Sequence, residues 1–240
     1  MTEENYLLWE KYMLSCMKDS AHDKEHIYRV LYTAMKIART EPGVDYDVLI
    51  CACLLHDIGR KEQYENPAVC HAKVGADKAY AFLVENHYTK EFAERVSKCI
   101  RVHRFRKDCR PESIEEKILF DADKIDVSGT IGIARTLLYK GQLSQPLYSL
   151  TPDGQVSDGT DDSEESFFQE YKYKLEGLYD SFYTACGKEI AKGRQDSAVN
   201  FYRCMLQEVS SSYCEGKELL HEIRMSNEKG REIDEKDNAF

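Results

Sequence analysis

An almost unbroken run of apolar residues, Val48 to Leu55, leads directly into the dipeptide His56-Asp57. The run predicts a helix that is buried on most of its sides, because it has no polar face to turn towards solvent. A buried helix that ends in an imidazole and a carboxylate must supply partners for both groups. Gly59 follows, and we expect this glycine to end the helix.

The composition favours an all-α fold. Apolar residues make up 42% of the 240 residues, while glycine and proline number only 13 and 5, which is typical of a helical globular protein and not of a β-sandwich or a disordered chain. We expect a single helical domain over residues 1–215. Residues 140–166 are rich in Gly, Ser, Asp and Pro and predict a mobile loop or lid, and residues 216–240 predict a polar C-terminal tail.

Charge and cysteine usage limit the partners and the compartment. The net charge of -10 argues against a nucleic-acid partner, although a small phosphorylated ligand needs only a few local cations. The nine cysteines form no C-x-x-C pair, which indicates reduced thiols in a cytoplasmic protein. No apolar run approaches the roughly 20 residues that span a bilayer, so we expect no membrane partner. The oligomeric state is left open.

The helix predicted after the capping-rich segment 19–23 carries an imidazole and a guanidinium on one face. His26 and Arg29 lie three residues apart and flank its apolar stripe. The structural explanation is a boundary histidine with a solvated arginine, and the functional one is a ligand with a nearby cation. His22, one turn before His26, would complete a metal pair, but a polar residue at a helix cap needs no such cause.

Two more histidines continue helix faces that are expected to pack inward. His71 leads a face of small residues at the start of one helix, and His103 ends an apolar stripe in the next helix, predicted over residues 90–103. A hydrogen-bonded core histidine is the structural explanation for each, and a ligand or phosphate-binding group is the functional one.

Three aspartates lie close together in the helix that the capping box Ser113-Ile114-Glu115-Glu116 predicts. Asp121 lies on the opposite side of this helix from Asp123, and Asp126 lies one turn after Asp123, so the three cannot share one site. A surface acidic cluster is the structural explanation. Asp123 is nevertheless next to the expected buried edge.

Apolar residues recur every three or four positions in two C-terminal segments. Those from Phe168 to Phe182 predict one amphipathic helix, and those from Ile190 to Val209 predict another. Core packing is sufficient to explain both segments.

Together, the inward-facing residues define a candidate metal site. His26, His56, Asp57 and Asp123 offer two imidazoles and two carboxylates, a set that leaves positions open on an octahedral ion and suits Mn, Fe, Co, Ni or Mg better than structural zinc. Water on a divalent ion has a lowered pKa and supplies hydroxide near neutral pH. Hydrolysis is the chemistry that this set predicts.

The ordered pattern His26, His56-Asp57, Asp123 resembles that of the HD-domain metal-dependent phosphohydrolases. Further segments resemble a bacterial subgroup of stand-alone HD hydrolases, and the resemblance extends over roughly residues 15–210. These segments are His22-Asp23-x-x-His26-x-x-Arg29-Val30, Leu55-His56-Asp57-Ile58, Asp121-Ala122-Asp123-Lys124, Gly132-Ile133-Ala134-Arg135-Thr136, Pro146-Leu147-Tyr148 and the helix around Gly187 to Arg194.

This resemblance implies an all-α helical bundle with additional C-terminal helices and a nucleotide-type phosphohydrolase, with pyrophosphate release from nucleoside triphosphates as one activity. It assigns the metal to His26, His56, Asp57 and Asp123. His71 and His103 correspond to extra histidines of two-metal branches, such as diadenosine polyphosphate hydrolases. They are expected either to bind a second ion or, as we prefer from the sequence, to hydrogen-bond phosphate.

The expected mechanism is in-line attack of water on phosphorus. Asp57, or His71 or His103, would orient or deprotonate the water. Lys124 and Arg29 would neutralise charge on the phosphate oxygens, and Arg135 is a further cation by analogy with the family. Glu62 is another candidate base, although its polar turn favours an exposed side chain.

Two hypotheses compete with this enzyme. In one, the chain keeps the metal and senses or binds a nucleotide without turnover. In the other, the ion is purely structural and holds the helices together. Nucleotide turnover, binding without turnover, and thermal collapse on chelation would distinguish the three.

Overall fold

A computed structural model describes residues 2–17, 24–104 and 110–237, with the backbone alone for 227–237. The segment 18–23, with its predicted cap and His22, lies outside these ranges. Every regular element among the described residues is a helix, and the structure adds one isolated β-bridge, Leu150 to Val156, which confirms the predicted all-α class. The helices are α1 Glu3–Cys16, α2 Lys24–Ala38, α3 Tyr46–Leu55, α4 Arg60–Glu65, α5 His71–Glu85, α6 Lys90–Val102, α7 Ile114–Ile125, α8 Gly129–Gln142, α9 Phe167–Glu170 and α10 Ala185–Asp237.

The chain forms two compact units. The first contains residues 1–132 and 178–195, and the second contains 133–177 and 196–240. Each unit is therefore built from two separate stretches of sequence. The predicted division into a domain over 1–215 and a tail over 216–240 stays a prediction.

The apolar helix α3 is the centre of the first unit. Its eight residues Val48 to Leu55 are all buried, and it packs against α1, α2, α6 and α7. At its N-terminus the Asp45 side chain accepts hydrogen bonds from the backbone N–H groups of Asp47 and Val48, which caps the helix. Because other helices surround α3, His56 and Asp57 at its C-terminal end lie between these helices.

Gly59 serves a different purpose from the one expected. Its φ is -96°, and it precedes α4 as the N-cap, so it does not end α3 by the left-handed conformation typical of a glycine cap. A Cβ atom at this position would lie 2.3 Å from the carbonyl oxygen of His71 and 2.6 Å from the backbone nitrogen of Gly75. The glycine is therefore needed because the backbone of α5 passes directly over it.

The predicted capping box at the start of α7 is confirmed. The Ser113 hydroxyl accepts from the backbone N–H of Glu116 at 3.2 Å, and the Glu116 carboxylate accepts from the backbone N–H of Ser113 at 3.4 Å. This arrangement fixes the start of the helix that carries the three aspartates.

Asp121 joins α7 to the returning stretch 178–195. Its fully buried carboxylate accepts hydrogen bonds from the backbone N–H groups of Tyr183 and Thr184 and from the Thr184 hydroxyl, at 2.7 to 2.9 Å for the shortest contact with each group. Arg194 donates to the carbonyl oxygen of Ile125 at 3.0 Å. The prediction of a surface acidic cluster is wrong for Asp121, which is a buried anchor.

The second unit has an aromatic core. The rings of Tyr171 and Tyr202 stack with centroids 4.0 Å apart, and Phe168 meets Tyr202 edge to face at 5.3 Å. Lys140 is also buried, with 5% of the residue exposed, and its ammonium group forms an ion pair with Glu170 at 3.4 Å.

The prediction of one continuous helix from Phe168 to Phe182 is wrong. The short α9 passes into a π-helical turn over Tyr171–Leu175, and a separate 3-10 turn covers Leu178–Asp180. The backbone N–H of Glu176 donates to the carbonyl oxygen of Tyr171, which is the wider hydrogen bond of a π turn. The boundary between the two units also falls within this segment, so its apolar residues serve two different cores.

The cysteines and the apolar character of the helices bear on the compartment in which the protein is expected. None of the eight cysteines that the structure describes forms a disulfide, and the reduced state expected for them stays a prediction. Among the described residues, no helix combines the length and the apolar character needed to cross a membrane. The mobility predicted for 140–166 stays a prediction.

Candidate metal centre

Four histidines and two aspartates converge at the C-terminal end of α3. His26 comes from α2, His56 and Asp57 follow α3, His71 begins α5, His103 follows α6, and Asp123 lies on α7. The side chains are buried, except that Asp123 is 22% exposed. The cluster therefore opens to solvent beside Asp123.

One group of donor atoms is formed by His26, His56 and Asp123. The Nε2 atoms of the two histidines lie 3.3 Å apart. Asp123 Oδ1 lies 3.3 Å from Nε2 of His26 and 3.8 Å from Nε2 of His56. These three residues thus place their ligand atoms around one point.

A second group is formed by Asp57, His71 and His103. Asp57 Oδ1 lies 3.5 Å from Nε2 of His71 and 3.7 Å from Nε2 of His103, and the two Nε2 atoms are 3.4 Å apart. All three residues are buried. The structure thus brings both extra histidines to the centre.

The carboxylate of Asp57 faces both groups. While Oδ1 faces the second group, Oδ2 lies 3.5 Å from Nε2 of His26 and 3.8 Å from Nε2 of His56. A carboxylate in this position can bridge two cations or bind one and orient the neighbouring histidines.

Backbone carbonyl groups fix two of the imidazoles. Nδ1 of His56 donates to the carbonyl oxygen of Cys53 at 2.7 Å, and Nδ1 of His103 donates to that of Ile100 at 2.6 Å. A carbonyl oxygen can only accept, so the proton of each neutral imidazole is on Nδ1. Each Nε2 then carries a lone pair that points into the centre.

A glutamine fixes His71 in the same tautomer. Nδ1 of His71 lies 2.6 Å from Gln63 Oε1, which also accepts from the Arg60 guanidinium at 3.3 Å. Arginine can only donate, so it holds the amide oxygen of Gln63 towards both groups. His71 therefore also presents a lone pair on Nε2.

The spacing of these atoms fits a divalent cation. Ligands about 2.1 Å from an ion lie roughly 3.0 Å apart at adjacent octahedral positions and roughly 3.4 Å apart on a tetrahedron. The shortest distance in each group is 3.3 Å and 3.4 Å. The lone pairs on Nε2 of His71 and of His103 face one another at 3.4 Å and repel unless positive charge lies between them, so this donor set fits a metal ion.

The electrostatics of the centre agree with this fit. Burial alone would lower the pKa of His26, but hydrogen bonds to Asp123, Asp126 and Asp57 outweigh it and raise this pKa to about 10. Burial lowers the pKa of His56 to about 4. Positive charge is thus strongly favoured between His26 and the carboxylates.

Burial also keeps the second group of histidines neutral. It lowers the pKa of His71 to about 2 and lowers that of His103. The carboxyl of Asp57 stays ionised, since Arg60, His56 and His26 overcome the effect of its burial and hold its pKa well below the usual value. The second group therefore presents an anion and two lone pairs.

Asp126 is a part of the site that the sequence interpretation missed. Its buried carboxylate accepts from Nδ1 of His26 at 2.8 Å and from Nε of Arg29 at 2.7 Å. The explanation of a surface acidic cluster is wrong for this residue as well. The signal was its position one turn after Asp123, which matches the one-turn spacing of His26 and Arg29 on α2.

The predicted cations lie in different environments. Arg29 is paired with Asp126, and the Lys124 ammonium lies 3.4 Å from the carbonyl oxygen of Ser181 and 4.9 Å from the centre of the Phe120 ring. Arg135 lies on the part of α8 that belongs to the second unit. Their roles in substrate binding or catalysis stay predictions.

Of two charged residues of α4, one contacts the centre and the other does not. Arg60, to which the sequence interpretation gave no role, donates from Nε to Asp57 Oδ1 at 2.9 Å and is 29% exposed. Glu62 instead pairs with Lys78 at 2.8 Å. The cation beside Asp57 follows it by three residues, a spacing that could have revealed it.

The fold and the centre define a class of all-α proteins in which histidines and aspartates from several helices form a site able to hold divalent cations. Residues 24–128 match the family model described as the HD domain, and the chain contains such a domain. All six clustered residues lie within this range, so the HD domain expected from the motifs is confirmed.

The relatives carry the same fold. YpgQ of Bacillus subtilis, an uncharacterised protein, is 28% identical over 196 residues, which cover 80% of this chain and 86% of YpgQ. Its crystal structure matches with a TM-score of 0.66 at 26% identity, over 86% of this chain and 96% of YpgQ. A second crystal structure contains YpgQ in complex with ADP and matches with a TM-score of 0.65 at 25% identity, over 85% and 95% of the two chains.

A predicted HD superfamily hydrolase from an uncultured Thermotogales bacterium is also similar. It is 29% identical, with a TM-score of 0.55, over 86% of this chain and 92% of the other. The chain thus has the fold of HD-superfamily hydrolases.

Proposed function

We propose that the protein is a phosphohydrolase that depends on a divalent cation and acts on a nucleotide or a related phosphate ester or anhydride. The observation that carries this proposal is the convergence of four imidazole nitrogens and two carboxylates beside the opening to solvent at Asp123. A site that only stabilised the fold would need no such opening. The ADP complex of YpgQ supports a nucleotide as the substrate class.

In this proposal His26, His56, Asp57 and Asp123 hold the cation. A cation held there would act as a Lewis acid and lower the pKa of water near the phosphate. Asp57 contributes one oxygen to this set and keeps the other for the second group. Asp123, the most exposed of these ligands, marks the side from which the phosphate approaches.

The second group is suited to a cation and poorly suited to phosphate. Nε2 of His71 and of His103, together with Asp57 Oδ1, are all acceptors in the tautomers that their partners impose. A phosphate oxygen is also an acceptor and would find no donor among these three atoms. This geometry favours a second cation over the hydrogen bonds to phosphate preferred from the sequence.

Cations at the edge of the centre would then balance the substrate charge. Arg60 is held beside Asp57, Arg29 is held by Asp126, and Lys124 follows Asp123 in α7. Because these groups are anchored, they need little rearrangement to meet the phosphoryl oxygens. Pyrophosphate release from nucleoside triphosphates and cleavage of dinucleoside polyphosphates are the reactions to compare first.

Elemental analysis of protein purified without chelator, followed by a hydrolysis screen with the metal found, tests this function. We expect at least one equivalent of a divalent transition metal or Mg and turnover of a nucleoside triphosphate or a dinucleoside polyphosphate. Dialysis against chelator should abolish turnover, and the same metal should restore it. Mono-, di- and triphosphates and dinucleoside polyphosphates should be tested in parallel.

The other outcomes separate the competing hypotheses. Saturable nucleotide binding without turnover would contradict the enzyme hypothesis and support a nucleotide-sensing protein. Loss of thermal stability on chelation, without nucleotide affinity, would make the ion structural. Failure to bind any divalent cation would contradict all three.

A further inference from the structure

We infer that Asp126 is a positioning residue that sets the cation affinity of His26 and holds Arg29 at the edge of the site. This inference rests on the proposed function, because it concerns the same centre. Asp126 is 3% exposed, and each of its oxygens has a partner.

His26 lies between two carboxylates. Asp126 Oδ2 accepts from its Nδ1 at 2.8 Å, while Asp123 Oδ1 lies 3.3 Å from its Nε2. The two aspartates are one turn apart on α7, so a single helix controls both sides of one imidazole. The ring can neither rotate nor exchange its tautomer without losing the contact with Asp126.

The partner of His26 differs in charge from those of the other three histidines. His56 and His103 donate to backbone carbonyl oxygens, and His71 donates to the amide of Gln63. A carboxylate partner makes the opposite nitrogen of an imidazole a stronger electron donor than a neutral acceptor does. His26 is therefore the strongest imidazole ligand of the four.

Arg29 makes this carboxylate a fixed charge. Its Nε and Nη2 atoms donate to the two oxygens of Asp126 at 2.7 Å and 3.1 Å, and its side chain is 34% exposed. The pair gives the guanidinium one orientation, with part of its surface left to solvent. Asp126 thus connects a metal ligand to a cation that can meet a phosphate.

Asp126→Asn tests the inference, with Mn²⁺ affinity measured by titration calorimetry on the folded, metal-free protein. Removing the charge is expected to weaken Mn²⁺ binding about 10- to 100-fold, which is the usual effect of losing an outer partner of a ligand. Asp45→Asn is the matched control, because Asp45 also pairs with an arginine, Arg95, at 2.6 Å. Asp45 caps the start of α3, roughly 15 Å from its other end, and its variant should bind Mn²⁺ within twofold of wild type.

A double-variant cycle shows whether Asp126 acts through His26. With His26→Gln already present, Asp126→Asn should weaken Mn²⁺ binding no further, whereas a merely structural residue would add its own effect. If Asp126→Asn does not fold, the double variant Arg29→Met/Asp126→Asn, which removes both charges of the pair, takes its place. Its Mn²⁺ affinity is then compared with and without His26→Gln.

Each outcome decides a separate question. Unchanged Mn²⁺ affinity in Asp126→Asn, or equal losses with and without His26, would overturn this inference and leave the proposed function intact. Absence of divalent-cation binding in the wild-type protein would overturn both.

Discussion

Replacement of Asp57 by asparagine is expected to reduce nucleotide hydrolysis at least about 10³-fold and to release the bound metal. The carboxylate is 3% exposed in its side chain, and its two oxygens face the two groups of histidines. The amide keeps the shape but removes the charge and offers a single oxygen, so one group loses its anionic ligand whichever way the amide turns. Elemental analysis and the turnover number report the two effects independently.

Asp77→Asn is the control for this variant. Asp77 also pairs with an arginine, Arg101, at 2.6 Å, but its side chain is 59% exposed and contacts no residue of the centre. An exposed pair of this kind contributes little, so metal content and turnover should match wild type. Retention of full metal content and more than a tenth of the activity in Asp57→Asn would contradict the assigned role.

Gly59→Ala is expected to lower the free energy of unfolding by about 3 kcal/mol, at the upper end of the effects of overpacking, and to impair hydrolysis. The added methyl group would lie 2.3 Å from the carbonyl oxygen of His71, and backbone atoms cannot move aside as a flexible side chain can. Separating α4 from α5 would carry His71 away from Asp57. Urea unfolding and the turnover number are the measurements.

Gly193→Ala provides the comparison. Gly193 lies within α10, and a Cβ atom there would have no neighbour within 4 Å. Alanine favours the helix, so stability should be unchanged or rise by about 0.5 kcal/mol, with normal activity. Equal stabilities of the two variants would show that the close approach at Gly59 is relaxed in solution.

Most of the helices and the clustering of the candidate ligands could be predicted because they follow from local patterns. The apolar run of α3 has no solvent face, and the capping box marks the start of α7. The pattern His26, His56-Asp57, Asp123 has a fixed order along the chain, and it identified two aspartates whose oxygens both lie within 4 Å of Nε2 of His26 and of His56.

The outer partners of the site could not be predicted in the same way. Gln63 has no unusual local pattern, and Asp126 offers only its spacing from Asp123. The importance of both depends on which imidazole nitrogen they meet. That contact depends on the packing of α4 against α5 and of α2 against α7. For the same reason Gly59 was assigned to the end of a helix, because the sequence does not reveal that a second backbone passes above it.

The segment from Phe168 to Phe182 shows another limit of periodicity. Its apolar residues recur at helical spacing, yet the chain contains a π turn there and leaves one unit for the other. Spacing identifies residues that need burial, but it does not say whether one core or two will bury them.

The return of residues 178–195 to the first unit has a consequence for the order of events during synthesis on the ribosome. The carboxylate of Asp121 meets its three donors only after Thr184 has been made, long after the helix that bears Asp123 has emerged. Until then the carboxylate of Asp121 lacks these hydrogen-bond partners. We therefore expect the nascent chain to acquire protease resistance in this region late, once the beginning of α10 has left the exit tunnel.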